Sequence, residues 1–354
     1  MRIADRTIDT NHPPYIIAEL GVNHDGSADR LMDLVRAAAD AGVDAIKLQL
    51  FTAGDLLAGT ARLAEYQKDA GERDPRDMLG RLELPMEVAR EAIDLAHELG
   101  VHAIATVFDL PLLPIADELP LDAYKTASPD LVYRPLLDAL AGTGKPLIVS
   151  TGAASRDEVQ RAIGWLGPAR DRLALLQCVS SYPTPAEHAA VAAVADLADL
   201  FMGPVGYSDH TTLVDTGALA VTRGARVLEK HLTLDRTQPG PDHAASIEPD
   251  QLAEYVRLCR AAYEGDWKAD ANDERLGPPT KFLLPIEADV RQVARRSIVA
   301  SRDLSAGHVL AMADFAFKRP GGGLEPWQAD LLLGRPVEFD IPADRAIMPD
   351  DVID

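Results

Sequence analysis

Eight short apolar runs that alternate with helical segments constrain the fold of this chain more than any other feature. The runs cover residues 15–20, 44–51, 101–108, 121–125, 146–151, 173–178, 204–207 and 225–228. The intervals between them carry apolar residues at helical spacing, and several end in a glycine. Eight such units over about 250 residues predict an α/β protein with a (β/α)8 barrel of the TIM type.

Polar side chains fall at or just past the carboxyl ends of these runs. They are Glu19, Lys47, Thr106, Lys125, Ser128, Ser150, Ser180, Ser208, His210 and His231. In a parallel barrel this rim is the active-site face, and scattered surface polarity would not select one end of eight strands. The sequence therefore predicts a polar cleft at that rim.

Two neighbouring runs each lead to a histidine, His210 and His231. A single histidine after a strand is usually a packing or hydrogen-bonding residue. Two at successive strand ends, beside Asp209, Lys230 and Asp242, favour a site. Two imidazoles aimed into one cavity suit a divalent metal, although spacing alone leaves the structural interpretation open.

Lys47 and Lys125 follow the second and fourth runs, so both would face the same cavity. With Ser128, Ser150 and Ser208 they could bind a small anion that carries phosphate or carboxylate groups. A barrel lysine can also form a Schiff base, but a metal held by the histidines would make an imine unnecessary.

Three carboxylates are candidates for acid–base work or for binding hydroxyl groups. They are Glu19, Asp130 and Asp242, and each could instead be a helix cap or a structural partner. The residues alone therefore predict a metal-dependent barrel enzyme acting on a phosphorylated or carboxylated small molecule, without naming the reaction.

Composition limits the partners and the location. A net charge of -21 argues against nucleic acid, which needs a basic face. The two cysteines, Cys178 and Cys259, make no disulfide framework and no zinc spacing, which favours a reducing compartment. The first fifteen residues have no apolar signal region, and no later run approaches ~18 apolar residues. We expect a cytoplasmic protein without a membrane span.

The chain of 354 residues is long enough for more than one domain. Residues 1–268 form the predicted barrel, 269–294 a polar linker that wraps away from it, and 295–354 a small β-rich module. Residues 52–84 lack a periodic pattern and predict a long functional or mobile loop. The run RPGGGLEP at 319–326 indicates a simple flexible turn.

A series of ordered motifs extends this interpretation. The chain reads IAELGVNHDGS, DAIKLQLF, ATVFD, YKTASPDL, STGAAS, QCVSSYPTP, GYSDHT and EKHLTLDRTQPGPDH. In this order they resemble the N-acetylneuraminate (sialic acid) synthase family. The segment from RRSIVASRDLSAGHVL to AIMPDDV resembles the antifreeze-like (SAF) domain of that family.

The resemblance implies a transferase that joins phosphoenolpyruvate to the open-chain aldehyde of an N-acylated amino sugar. The products would be a nonulosonic acid and phosphate. His210 and His231 would hold a divalent metal, usually Mn2+, with Mg2+ or Co2+ as alternatives. The implied phosphoenolpyruvate contacts are Lys47, Thr106, Lys125, Ser128, Ser150 and Ser208. The remaining implied substrate contacts are Glu19, Gln49, Phe108, Ser180, Tyr182 and Asp242, and the implied catalytic set is Glu19, Asp130, His210 and His231.

The same resemblance implies a domain-swapped homodimer, in which Arg319 of one protomer reaches the N-acyl group in the partner's barrel. Two departures bear on the acceptor. Asp130 stands where many members have glutamate, and Ser180 stands where an asparagine is expected. A sugar of the N-acetylmannosamine type and the precursors of legionaminic or pseudaminic acid therefore all remain open.

Two other functions compete with this one. A related barrel makes a 3-deoxy-ulosonic acid from phosphoenolpyruvate and a sugar phosphate, but it would need a second basic cluster. A non-catalytic sugar-binding relative would not need Lys47, Lys125 and both histidines intact.

Overall fold

The structure, a computed structural model, describes residues 1–353. A short hairpin of β1 (Arg2–Ile3) and β2 (Arg6–Thr7) precedes a closed barrel of eight parallel strands. The barrel strands are β3 (Tyr15–Gly21), β4 (Ala45–Leu50), β5 (His102–Val107), β6 (Ala123–Thr126), β7 (Leu147–Ser150), β8 (Leu173–Cys178), β9 (Val205–Asp209) and β10 (Val227–His231). They pair in chain order, and β10 closes on β3 with His231 beside Glu19. The predicted α/β barrel is confirmed.

Helices connect the strands and cover the barrel. The α-helices are α1 (Ala28–Asp40), α2 (Ala53–Leu56), α3 (Glu65–Asp69), α4 (Pro75–Leu82), α5 (Met86–Glu98), α6 (Leu113–Ala116), α7 (Arg134–Gly142), α8 (Arg156–Trp165), α9 (Ala193–Phe201), α10 (Thr216–Thr222), α11 (Pro249–Glu264) and α12 (Ala288–Ala294). The Ser27 side chain caps α1 by accepting a hydrogen bond from the Arg30 amide. Within residues 1–353 no helix is long and apolar enough to cross a membrane.

The alternation of side chains along the strands explains why one end of the barrel is polar. Inward positions at the amino-terminal end are apolar and form one buried cluster with Ile3, Ile8 and Tyr15: Ile17, Ala45, Ile104, Ala123, Ile148, Ala174, Leu176 and Val227. Two residues further along a strand the side chain points inward again. Those next positions are Glu19, Lys47, Thr106, Lys125, Ser150, Ser208 and Glu229. Burial of each large aliphatic side chain contributes about 1.5–3 kcal/mol, so the apolar layer supports the polar one.

Residues 52–84 are not a structureless loop. They contain α2, α3 and α4, and α4 begins with the Asp74 side chain accepting from two backbone amides. Met78 and Leu82 of α4 pack with Val22 and Phe108 in a separate apolar cluster at the barrel mouth. The prediction was wrong because helices this short show too few turns for a period and depend on tertiary packing.

The predicted linker also differs from expectation, because it packs along the barrel instead of leading away from it. Glu287 accepts hydrogen bonds from the backbone amides of Ala153 (2.6 Å) and Ser180 (2.8 Å). Arg291, on α12, donates to Glu158 at 2.8 and 2.9 Å. These charge-assisted contacts return the chain to the mouth of its own barrel.

The C-terminal module contains one antiparallel pair, β11 (Ser297–Ala300) and β12 (Phe315–Lys318), plus isolated bridges between its turns. A small β-type module is thus confirmed, with shorter strands than the runs suggested. It contacts the barrel mouth through α2, where the Arg319 amide donates to the Leu56 carbonyl and the Ala58 amide donates to the Arg319 carbonyl. The predicted domain limits at 268 and 294 stay predictions.

Candidate active site

One cavity at the carboxyl end of the barrel brings together the predicted site residues, except Asp130 and Ser180. Those that line it are Glu19, Lys47, Gln49, Thr106, Phe108, Lys125, Ser128, Ser150, Tyr182, Ser208, His210, His231, Asp242 and Arg319. The strand ends supply most of them, and the C-terminal module supplies Arg319. The cavity therefore has a polar floor and a roof made by a different part of the chain.

Glu229 is the functional candidate that sequence reasoning missed. Its buried carboxylate accepts from the Lys47 ammonium (2.9 Å), the Lys125 ammonium (3.3 Å) and the Ser208 hydroxyl (2.8 Å). The signal was available, because Glu229 stands two residues before His231 on the same strand and so points inward like it. Burial alone would raise the pKa of Glu229, but the two lysines lower it, so it is ionised.

The two lysines respond differently to the same surroundings. Burial alone would lower the pKa of Lys47, but the carboxylates of Glu19 and Glu229 raise it. Burial lowers the pKa of Lys125 to about 8, against the opposing influence of Glu229. Lys47 is thus a permanent cation, whereas Lys125 titrates just above neutral pH.

Unpaired hydroxyl groups surround the lysines. The side-chain oxygens of Thr106 and Ser150, which line the cavity, are buried and have no hydrogen-bond partner. Gly152 makes this packing possible, because a Cβ atom there would lie only 2.8 Å from the Ser128 hydroxyl and 2.4 Å from that of Ser180. Buried polar groups normally have partners. Donors left open beside two cations fit the oxygens of an anionic ligand.

Asp130 and Ser180 are not among the residues that line the cavity, and the roles predicted for them stay predictions. The Asp130 carboxylate accepts from Nε of Arg296 at 2.9 Å and is fully buried. Ser180 donates its backbone amide to Glu287. The partner of Asp130, Arg296, comes from the start of the C-terminal module. Asp130 therefore forms a buried ion pair between the barrel and the module.

The two predicted metal ligands lie side by side, with ring centroids 5.4 Å apart. Nδ1 of His210 lies 2.8 Å from the Val179 carbonyl, so it carries the proton and leaves the Nε2 lone pair free. Burial and the neighbouring His210 hold the pKa of His231 well below its usual range, so that ring is neutral. Two neighbouring imidazoles that face one cavity are ligands that suit a divalent metal.

Within the described residues, no group of three or more histidine, cysteine, aspartate or glutamate side chains has a metal-binding arrangement. A metal held here would have the two imidazoles as its protein ligands. Open positions are what catalytic metal sites need, in contrast to closed structural ones. The donor set therefore fits a catalytic metal.

The side of the cavity next to the histidines carries aromatic rings and carboxylates. Tyr182 lies against His210 with ring centroids 4.2 Å apart, and Tyr66 lies 5.1 Å from Tyr182. The Asp242 carboxylate is 3.6 Å from Nδ1 of His231, and burial raises the pKa of Asp242 to about 6. Tyr66, from α3, was not predicted because its helix was taken for a loop.

In the single chain that the structure describes, Arg319 lines the cavity of the same chain. Its guanidinium lies 5.3 Å from the Phe108 ring centroid, and its buried Nε has no hydrogen-bond partner. The linker contacts described above bring the module back onto the same barrel. The domain-swapped homodimer, in which Arg319 would enter the partner's barrel, stays a prediction.

Comparison with known proteins identifies the family. Residues 34–267 match the model of the NeuB family, and residues 295–353 match that of the SAF domain. The chain belongs to the NeuB family. The NeuB match includes every predicted site residue except Glu19, on the strand before it, and Arg319, which lies in the SAF domain.

Several NeuB relatives resemble the chain over nearly its full length. The N,N'-diacetyllegionaminic acid synthase of Legionella pneumophila is 36% identical over 94% of this chain and 93% of its own. The crystal structure of the spore coat polysaccharide biosynthesis protein SpsE of Bacillus subtilis has a TM-score of 0.86 at 30% identity, covering 100% of this chain and 99% of that one. The sialic acid synthetase of Leptospira borgpetersenii, at 30% identity, gives a TM-score of 0.67 over 77% of this chain and 93% of its own.

Proposed function

We propose that this protein condenses phosphoenolpyruvate with the open-chain aldehyde of an N-acylated amino sugar, giving a nonulosonic acid and phosphate. The proposal is carried by one observation: two lysines, unpaired hydroxyls and a pair of histidines line the same cavity. The cations fit the phosphate and carboxylate of one substrate, and the histidine pair suits the carbonyl of the other. Relatives named as nonulosonic acid synthases support this assignment.

In the proposed reaction C3 of the enol attacks the aldehyde carbon, water adds at C2, and phosphate leaves with cleavage of the C–O bond. Lys47 and Lys125 bind the anionic groups of phosphoenolpyruvate and replace part of their contact with Glu229. The hydroxyls of Ser128, Ser150 and Ser208 donate to the remaining oxygens. Positioning both substrates in a closed cavity supplies much of the rate enhancement.

His210 and His231 would hold the divalent metal, Mn2+ by resemblance, which when bound polarises the aldehyde carbonyl. The Val179 carbonyl keeps the His210 ring in the tautomer that such a role requires. Asp242 and Glu19, both with a raised pKa, can accept a sugar hydroxyl proton or hold the hydroxyl by hydrogen bonds.

The outer part of the cavity favours an unphosphorylated acceptor. Besides the two histidines, the basic side chains that line the cavity in the described part of the chain are Lys47, Lys125 and Arg319. The lysines are needed for phosphoenolpyruvate, which leaves one arginine for the far end of the sugar. Met78 and Leu82 make the adjoining wall apolar. Such a wall suits the methyl group of an N-acyl or deoxy sugar better than a phosphate.

The proposal is tested by phosphate release from phosphoenolpyruvate with Mn2+, across N-acyl hexosamines, their deoxy analogues and their 6-phosphates. We expect release with an unphosphorylated N-acyl sugar, dependent on that sugar and lost on addition of EDTA. Release only with a 6-phosphate would move the protein to the 3-deoxy-ulosonate branch. No release from any acceptor, with metal bound, would contradict the enzymatic proposal and favour a sugar-binding relative.

The lowered pKa of Lys125 predicts how kcat/KM for phosphoenolpyruvate depends on pH. Below pH 8 its ammonium is protonated and attracts the substrate anion; above pH 8 it loses the proton and the attraction. We expect kcat/KM for phosphoenolpyruvate to fall above about pH 8, approaching tenfold per pH unit. The measurement is a pH profile from 6 to 10. Lys125→Arg stays charged over that range, so an unchanged fall in this variant would assign the titration to another group.

A further inference from the structure

The loop after β3, residues 22–27, is tied to the loop after β10, residues 232–248, on both sides of Asp242. The Asn23 side-chain amide donates to the Leu232 carbonyl and to the Ser246 hydroxyl, each at 2.8 Å. The Ser246 hydroxyl in turn donates a hydrogen bond to the Asp242 backbone carbonyl at 2.7 Å. All of these groups except Asp242 are nearly inaccessible to water, so none is easily replaced by solvent.

A second set of hydrogen bonds between the two loops involves His243, the residue that follows Asp242. Nε2 of His243 lies 3.1 Å from the Asp25 carboxylate, and Nδ1 of the same ring lies 2.7 Å from the Thr233 hydroxyl. The ring is therefore held at both nitrogens. Because the Asp25 carboxylate accepts hydrogen bonds, Nε2 of His243 is the donor in this contact. Asp25 is also paired with Arg30 of α1.

The sequence around this ring is adapted to its position. At Gly240, with φ 151°, a Cβ atom would lie 2.8 Å from Cδ2 of His243 and 3.2 Å from the Asp25 carboxylate. Any larger residue would displace the ring or the carboxylate, because neither contact leaves room for it. Two independent hydrogen-bond chains thus converge on the backbone that carries Asp242.

We propose that Asp25 and His243 are positioning residues that hold the Asp242 carboxylate at the acceptor end of the cavity. The proposal rests on the proposed function, since it assigns Asp242 to the sugar, and it explains why a hydrogen bond between Asp25 and His243 links the two loops. Neither Asp25 nor His243 lines the cavity. Their influence on the sugar must therefore pass through Asp242.

The kinetic test uses Asp25→Ala and His243→Leu with saturating Mn2+. We expect KM for the acceptor to rise roughly tenfold, the effect of losing a hydrogen bond to a charged group, with KM for phosphoenolpyruvate within about twofold of its original value. His243→Gln keeps an N–H donor for Asp25 and should recover part of the loss. Arg30→Gln removes the other partner of Asp25 and is the matched control, with no change expected in either KM.

A double-mutant cycle separates positioning from a merely structural role. In an Asp242→Asn background, Asp25→Ala should cause little further rise in acceptor KM. The Asp242 carboxylate, through which Asp25 is proposed to act, is already absent in that background. A rise of the same size in both backgrounds would overturn the proposal, as would equal increases in the KM of both substrates.

Hydrogen–deuterium exchange tests the same idea without turnover. In Asp25→Ala we expect faster exchange of amides 242–247, with the barrel strands unchanged. Failure of the wild type to use any acceptor would refute the proposed function. The exchange data would still show whether Asp25 holds the segment around Asp242 in place. Unchanged exchange in that segment would overturn the positioning role whatever the substrate.

Discussion

Replacing His231 or His210 with alanine is expected to lower phosphoenolpyruvate-dependent phosphate release about a thousandfold. A catalytic metal stabilises a developing charge by several kcal/mol, and about 4 kcal/mol corresponds to three orders of magnitude in rate. The two rings are the proposed protein ligands of the ion, so loss of either would leave a single imidazole. The measurements are the initial rate and the metal content of the purified variant.

The control is His12→Gln, which removes an exposed histidine paired only with Asp9 on the surface. This variant should keep both its rate and its metal. Full activity in His231→Ala with metal still bound would contradict the assignment of the ligands. Loss of activity with metal retained would instead give His231 a role in orienting substrate.

Replacing Arg296 with methionine is expected to lower the free energy of unfolding by about 3–5 kcal/mol. The Arg296 side chain is fully buried and donates to Asp109 (3.1 Å), to Asp130 (2.9 Å) and to the carbonyls of Phe108 and Phe317. Methionine has similar length but no donors, so two buried carboxylates would lose their cation. Burial already raises the pKa of Asp109, and the arginine opposes that effect.

Urea-induced unfolding followed by fluorescence gives the free energy for this comparison. Arg302→Met is the matched control in the same module, because Arg302 is 57% exposed and its partner Asp314 keeps His308 and the Ala311 amide as partners when the arginine is removed. Its loss should change stability by less than about 1 kcal/mol. Adding Asp109→Asn and Asp130→Asn to Arg296→Met should recover part of the lost stability. Equal effects of the two arginine substitutions would contradict the role given to Arg296.

The α/β barrel followed from the sequence because its units are local. Each strand and the helix after it are formed by consecutive residues, so the local sequence pattern predicts both. The predicted run Leu173–Cys178, for example, has the same limits as the observed strand. Period-two alternation then gave the inward position of Lys47 and Lys125, since each lies two residues beyond an apolar inward neighbour. The histidine pair followed from the same rule applied to adjacent strands.

The short helices and the linker were beyond such reasoning. A four-residue helix such as α2 carries no measurable period, and it is stabilised by the module that packs on it. The linker was predicted to lead away because its residues are polar. In fact Glu287 and Arg291 are polar because they bind backbone and side-chain groups of the barrel.

The sequence by itself determined the barrel, the rim that carries the site, and the membership in the NeuB family implied by its motifs. Tertiary structure alone decided which charges meet. Arg296 binds Asp130 across 166 residues of chain. Glu229 joins both lysines, and Arg319 lines the same cavity as they do. Such pairings depend on distances between segments far apart in sequence, and no local pattern records those distances.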